Sequence, residues 1–376
     1  MDQMQNRFSL TFSLALLLCL QVLWSLGTGL AIAEERKYGT IMAVGKVAPV
    51  NSNEGLDSTV IKYDRESKGF PGNGILSVKL DTVVLTAGLR HKLIDSLAFG
   101  YSLQATGIIE GYGEDLFLNG RRLRSESFTG DSYAARLGFT LFPEGAIRLA
   151  GQWEQRQGKF HAIDDTVEGY QLPGDLKQQE ARATMTADVG DTEGEVKVVA
   201  LSGSRKDWQA WELDPSPEEH DSFTRYEMRW KQPMKWSGKH ISELILSHAQ
   251  GQNLDLFSDV RVGGMASDFG VLGYFRNEYR SRRVSLVNFE HQLQFAEDRR
   301  LYLLADWGTF TRIDLPYLTD TPEQGTLAGV GIGYFYGIRS LGGLPVIVRY
   351  GEGLRVPENS HESKRREVLF VLAAAF

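Results

Sequence analysis

The chain has 376 residues, a formal net charge of −7 and one cysteine. A mildly acidic chain without a basic stripe excludes nucleic acid as a partner, and a lone thiol speaks against a cysteine-ligated zinc cluster. Glycine (40), phenylalanine (19) and tyrosine (14) are plentiful, a mixture that favours strands and tight turns over helices.

In chain order, residues 1–33 come first. Arg7 precedes a long apolar stretch that ends at Ala31-Ile32-Ala33, the charged, apolar and small-residue zones of a signal peptide. Cleavage after Ala33 is expected, leaving Glu34 as the first mature residue; the length of the apolar stretch keeps an uncleaved helical anchor as the alternative. Cys19 lies inside this segment behind Leu18, where a lipoprotein site requires a small residue. The mature chain then carries no thiol and crosses an oxidising compartment with nothing to mispair.

From residue 34 on, no apolar run approaches the ~18 residues of a membrane helix. Strands are expected near 38–47, 57–64, 74–80, 82–90, 97–107, 131–142, 145–156, 178–188, 195–204, 222–231, 240–250, 284–295, 300–310, 325–337, 344–354 and 366–376. Many alternate strictly. Tyr133, Ala135, Leu137, Phe139 and Leu141 share one face against Ala134, Arg136, Gly138 and Thr140. Ile147, Leu149 and Trp153 oppose Arg148, Gln152 and Glu154. Tyr226, Met228 and Trp230 oppose Arg225, Glu227 and Arg229. Leu301, Leu303, Ala305 and Trp307 oppose Tyr302 and Asp306. The connections alternate too. Those at 143–145, 191–194, 296–299 and 338–343 are tight, whereas those after about 107, 156, 204, 250, 310 and 354 are long and polar. Short periplasmic turns and long outer loops are the rhythm of a membrane barrel. The reading is therefore all-β, a transmembrane antiparallel β-barrel in the bacterial outer membrane. It has sixteen strands, or fourteen if 74–90 is one strand and another is illusory, and residues 34–376 form one domain. The chain ends "REVLFVLAAAF". In a barrel the last strand closes on the first, so Val368, Phe370, Leu372, Ala374 and Phe376 form a lipid-facing stripe, with Phe376 at the aromatic girdle. Phe370, Leu372 and Phe376 also make the C-terminal signal that barrel assembly machinery reads.

The segment "VRVGGMASDFGVLGYFRNEYR" (260–280), the strand "VSLVNFEHQLQF" after it and the tail "GVGIGYFYGIRSLGGLPVIVRYGEG" carry a resemblance. Together they resemble the C-terminal part of the outer membrane protein eighty-five superfamily, the group of BamA, TamA and two-partner-secretion transporters. The resemblance covers about 260 to 376. It implies that a long sixth loop, near 251–283, folds back into the barrel. Its tip would be Leu272-Gly273-Tyr274. The lumen partners would be Asn288 and Glu290 from an Asn-x-Glu pattern and Asp306 and Gly308 from an Asp-x-Gly pattern. Two departures stand out. The arginine of the family's tip is Leu272 here, and two inward carboxylates without a cation would be costly; Arg276 or Arg280 is expected to serve instead. No counterpart of the family's periplasmic POTRA domains is expected, with only Glu34 to Lys37 before the first expected strand, which resembles the minimal members of the family.

No catalytic constellation appears. "GYSLQ" (100–104) fails the nucleophile-elbow pattern at its last position, and "HESKR" (361–365) is a charged loop. The seven histidines are scattered. His291 falls on the apolar face between Phe289 and Leu293, which points to an interfacial position or a neighbouring copy rather than to catalysis. The acidic run "DPSPEEHD" (214–221) reads as a solvated outer loop. No enzyme activity, metal or cofactor is expected. The resemblance implies insertion or translocation of proteins, or of lipids, at the outer membrane. A passive pore and a partner-binding barrel are the alternatives. Expected partners are outer-membrane lipid, the assembly machinery during biogenesis, and a separate periplasmic protein or a second copy.

Overall fold

The structure is a computed structural model. It describes the backbone of 38–47, 56–66, 73–79, 84–94, 99–108, 117–118, 121–122, 128–142, 145–164, 166–190, 193–214, 221–265, 267–274, 278–314, 323–338, 344–355 and 365–375, with side chains described between 128 and 369. The expected signal segment and Arg276 lie outside these residues.

Among the described residues nineteen strands follow one another: β1 (Tyr38–Val47), β2 (Leu56–Glu66), β3 (Asn73–Lys79), β4 (Val84–Ile94), β5 (Phe99–Ile108), β6 (Phe117–Leu118), β7 (Arg121–Arg122), β8 (Phe128–Leu141), β9 (Ile147–Ala162), β10 (Leu176–Val189), β11 (Gly194–Arg205), β12 (Ser222–Ser237), β13 (His240–Gln252), β14 (Val260–Val262), β15 (Tyr279–Ala296), β16 (Arg299–Arg312), β17 (Gln324–Ile338), β18 (Leu344–Arg355) and β19 (Arg365–Ala375). Seventeen share one sheet, and β6 with β7 forms a separate two-residue ladder inside the long connection after β5. The fold class read from the alternation is the one observed. The long strands pair antiparallel with their neighbours, β5 with β8 and β13 with β15 across the short strands between them, and β1 pairs with β19 from Thr40↔Ala375 to Val47↔Val368, so that the first and last strands meet.

Several strands outrun the apolar belt that announced them. β9 continues to Ala162, β12 to Ser237, and β15 begins at Tyr279. The backbone ladders continue past the stretches of alternating polarity, because inter-strand hydrogen bonds are made by the main chain whichever side chains it carries.

The outward face is the one the alternation names. Leu137, Phe139, Trp153, Met185, Tyr226, Met228, Phe289, Leu303, Trp307 and Ile332 are all exposed. In a soluble protein so large an apolar surface would be an aggregation liability; here it is the hydrocarbon contact. The inward face is polar and paired. Glu154 takes Arg136 and Arg156, and Arg225 pairs with Glu227 at 2.8 Å.

The buried apolar core lies inside the long-loop end. Phe128, Leu176, Leu201 and Phe223 of the wall pack with Trp208, Trp211 and Leu213 of the connection after β11, and with Leu254, Leu256 and Phe257 of the connection after β13. The connection expected to be long and polar after 204 is thus corrected. Its tryptophans turn inward, because a barrel mouth with apolar wall residues gives them a dry place to go. Asp214, expected in solvent, is buried and bridges Trp211 through two backbone hydrogen bonds of 3.1 Å.

Candidate functional site: a loop seated inside the barrel

The connection between β13 and β15 does not leave the barrel. Its root is held by two buried ion pairs. Asp255 accepts from the backbone N–H of Phe257 and Ser258, an Asx turn that starts the loop. Arg205 of β11 donates both Nη atoms to the two Asp255 oxygens, each at 2.8 Å, and its Nε to Gln178 Oε1 at 2.8 Å. The Arg205 guanidinium also lies 4.9 Å from the Phe223 ring. Four residues on, Asp259 takes Arg280 Nη1 at 3.3 Å and Arg261 Nε at 3.4 Å. A short strand, β14, then pairs with the start of β15.

Beyond β14 the loop runs across the inner wall. The Met265 N–H donates to the Glu367 carboxylate of β19, 2.9 Å from Oε2. At the tip the Leu272 N–H donates to Asp306 Oδ2 of β16 at 2.9 Å. Asn288 of β15 donates to Asp306 Oδ1 at 2.9 Å and to the Gly270 carbonyl at 3.0 Å. Tyr274 is fully buried; its hydroxyl donates to the Arg355 carbonyl and accepts the Ala328 N–H at 3.2 Å.

The tip needs a bare patch of wall. Gly329 and Gly331 of β17 stand opposite Gly353 and Gly351 of β18 in the register. A Cβ at Gly329 would strike the Leu272 carbonyl, and one at Gly353 would sit 3.3 Å from the Gly273 carbonyl and 3.4 Å from the Tyr274 ring. Gly273 is at φ +81°, and a Cβ there would collide with the Gly353 backbone. A left-handed residue pressed against another backbone has to be glycine. Leu272 completes the seat by packing with Tyr302 and Leu304.

The structure thus brings Leu272, Gly273 and Tyr274 together with Asn288 and Asp306. Other expectations need correction. Arg280 is committed to Asp259 and to the Leu256 carbonyl at the root of the loop, so it serves there and not as the tip's substitute cation. Glu290 takes its cation from the wall instead of the loop: Arg349 Nη2 of β18 is 2.8 Å away, and the Arg349 guanidinium lies 5.4 Å from the Tyr302 ring. Asp306 is satisfied by dipoles, one amide N–H on each oxygen, which is why a leucine can stand at the tip. Gly308 lies under the Leu286 side chain of the neighbouring strand, so it helps pack the wall and does not meet the tip. Phe370 and Leu372 stand in β19 opposite Val348 and Val346; their side chains, and Phe376, lie outside the described residues.

Six residues of the site were not anticipated: Arg205, Glu367 and the paired glycines Gly329, Gly331, Gly351 and Gly353. The glycines had a signal, since they recur at every second residue in "AGVGIGY" and "YGEGL" and therefore share one face. Glu367 had one too, as an acid inside an otherwise apolar terminal strand.

No family model matches the sequence, and no curated protein matches it. Among solved structures the chain is similar to CdiB from Escherichia coli, with a TM-score of 0.58 and 15% identity over 92% of this chain and 64% of that one. CdiB from Acinetobacter baumannii gives 0.57 and 12%, over 92% of this chain and 61% of that one. BamA from Haemophilus ducreyi lacking POTRA domains 1-3 gives 0.57 and 11%, over 90% of this chain and 70% of that one. The chain thus spans less than two thirds of either CdiB. At these identities the likeness is one of fold, and that fold is the bacterial outer-membrane β-barrel.

Proposed function

We propose that the chain is a gated outer-membrane barrel of the outer membrane protein eighty-five kind, which inserts or translocates proteins, or lipids, at the outer membrane. The observation that carries this reading is the path of the 253–278 loop. It enters the lumen and fastens by hydrogen bonds or close packing to each of the last five long strands: Asn288 on β15, Asp306 on β16, Gly329 on β17, Gly353 on β18 and Glu367 on β19. A device that ties the loop to the strand meeting β1 belongs to a barrel whose seam and lumen are controlled together. A passive pore gains nothing from an apolar cap across its outer mouth. The 34–376 region is read as one functional barrel, without enzyme activity, working with a periplasmic partner or a second copy.

Deletion followed by a census of outer-membrane proteins and lipids tests the proposal. Loss of particular barrel proteins, or a shift in lipid composition, supports it. An unchanged census together with altered uptake of small solutes would show a pore instead.

A further inference from the structure

The lipid-facing side of the β12–β13–β15 wall carries an open, shallow recess at its short-turn end, largely apolar in surface with a few polar atoms set into it. It has a volume of about 550 Å³ and is lined by Trp236, Ser237, His240, Ser242 and His291. Ser242 and His291 stand opposite each other in the register, on the outward face that also holds Leu244 and Phe289. Polar side chains on that face are tolerated where the hydrocarbon ends. Trp236, 69% exposed, and Phe295, 56% exposed and stacked on Tyr334, mark the same rim as an aromatic girdle.

The hydrogen bonds inside the recess have a direction. An indole N–H can only donate, so Ser242 Oγ accepts from Trp236 Nε1 at 2.9 Å. The Ser242 hydrogen is then free to go to His291 Nδ1, 2.7 Å away. With the Ser242 hydrogen given to Nδ1, the neutral imidazole carries its proton on Nε2, a donor for the mouth of the recess. His240 stands beside it, with ring centroids 5.8 Å apart. Ser237 Oγ accepts the Lys239 N–H at 3.2 Å and keeps its own hydrogen to donate. Glu243 and Glu290, the acids next to Ser242 and His291 in sequence, face the other way, toward Lys231 and Arg349. The recess therefore offers several donors and no carboxylate.

The geometry points to a binding site for the phosphate-bearing headgroup of a glycerophospholipid in the periplasmic leaflet. Its phosphodiester oxygens supply the acceptors that the recess lacks, and its acyl chains lie along Leu244 and Phe289. Ser242 is 2% exposed, its oxygen accepts from Trp236 and its hydrogen goes to His291. Burial keeps its oxygen from an ester, so it positions the imidazole.

The test is native mass spectrometry of the full chain in detergent, titrated with palmitoyl-oleoyl phosphatidylethanolamine. The wild type retains one lipid that diacylglycerol and inorganic phosphate do not displace. His240→Phe with His291→Phe, checked for folding by heat-dependent gel migration, retains it about tenfold less well, the scale expected when hydrogen bonds to a charged group are lost. His248→Phe, which alters the other outward histidine–serine pair, with Ser285 at 2.8 Å, leaves retention unchanged. Equal retention by the double variant, or displacement by diacylglycerol from the wild type, would overturn the assignment. So would lysophospholipid appearing in the mixture, which would make Ser242 a nucleophile. The competition arm needs no variant and decides the matter even if the double variant does not fold.

Discussion

At the scale of single residues, the seat of the loop rests on a few groups with no spare partner. Asp306 accepts the Leu272 N–H on one oxygen and Asn288 on the other. Asp306→Ala leaves the Leu272 N–H unpaired and Asn288 with only the Gly270 carbonyl, at a cost of roughly 1–3 kcal/mol, and should raise the resting conductance of the reconstituted barrel. Asp306→Asn keeps an acceptor for the tip and should raise it less; equal effects would mean the carboxylate does not hold Leu272. Gly273→Ala forces a Cβ onto the Gly353 backbone at φ +81°. It should unseat the tip at a cost of about 1–3 kcal/mol, read as faster proteolysis within 253–278. Arg205 and Asp255 are sealed from solvent, with side chains 0% and 1% exposed. Arg205→Ala strands a buried carboxylate and should destabilise the barrel by roughly 3–5 kcal/mol, lowering the temperature at which the compact band is lost on gels. Arg205→Met with Asp255→Leu should recover only part of that loss, because the two charges leave together but the Phe257 and Ser258 N–H groups and Gln178 lose their partner.

At the scale of elements, the ladder between β1 and β19 joins the chain's two ends, and Glu367 of β19 also holds the loop through Met265. Val44 and Val371 face each other across that ladder. With Val44→Cys and Val371→Cys, oxidation should lock the seam while leaving the heat-dependent band shift intact, and should abolish the deletion-rescuing activity until a reductant is added. Activity that survives the lock would mean that the seam stays shut during function. The strands themselves were legible in the sequence because a sheet between hydrocarbon and a wet lumen imposes period two on every residue. Leu137, Phe139, Met228 and Trp307 declared the outward face, and Arg136, Glu154 and Asp306 the inward one. What was not legible came from contacts that skip strands. Arg349 reaches Glu290 from three strands away along the curved inner wall, and Arg205 finds Asp255 fifty residues later; no local pattern announces either pair. Trp208 and Trp211 sat in a stretch whose neighbours are polar, and only the closed wall around them shows that they turn inward.

At the scale of the whole molecule, the described residues form a barrel whose outer mouth is filled by an aromatic core and whose lumen holds a loop fastened to its last five long strands. Two inward acids pair with arginines of the wall, Glu154 with Arg136 and Glu290 with Arg349. Closure of the lumen is assigned to the seated loop. The most direct measurement is the conductance of the full-length barrel in planar bilayers, before and after removal of 260–274. The intact protein should stay closed or flicker briefly, and the shortened loop should give a steady open channel. A wild-type barrel that already conducts steadily, at the level of the loop deletion, would contradict a lumen held shut by the seated loop.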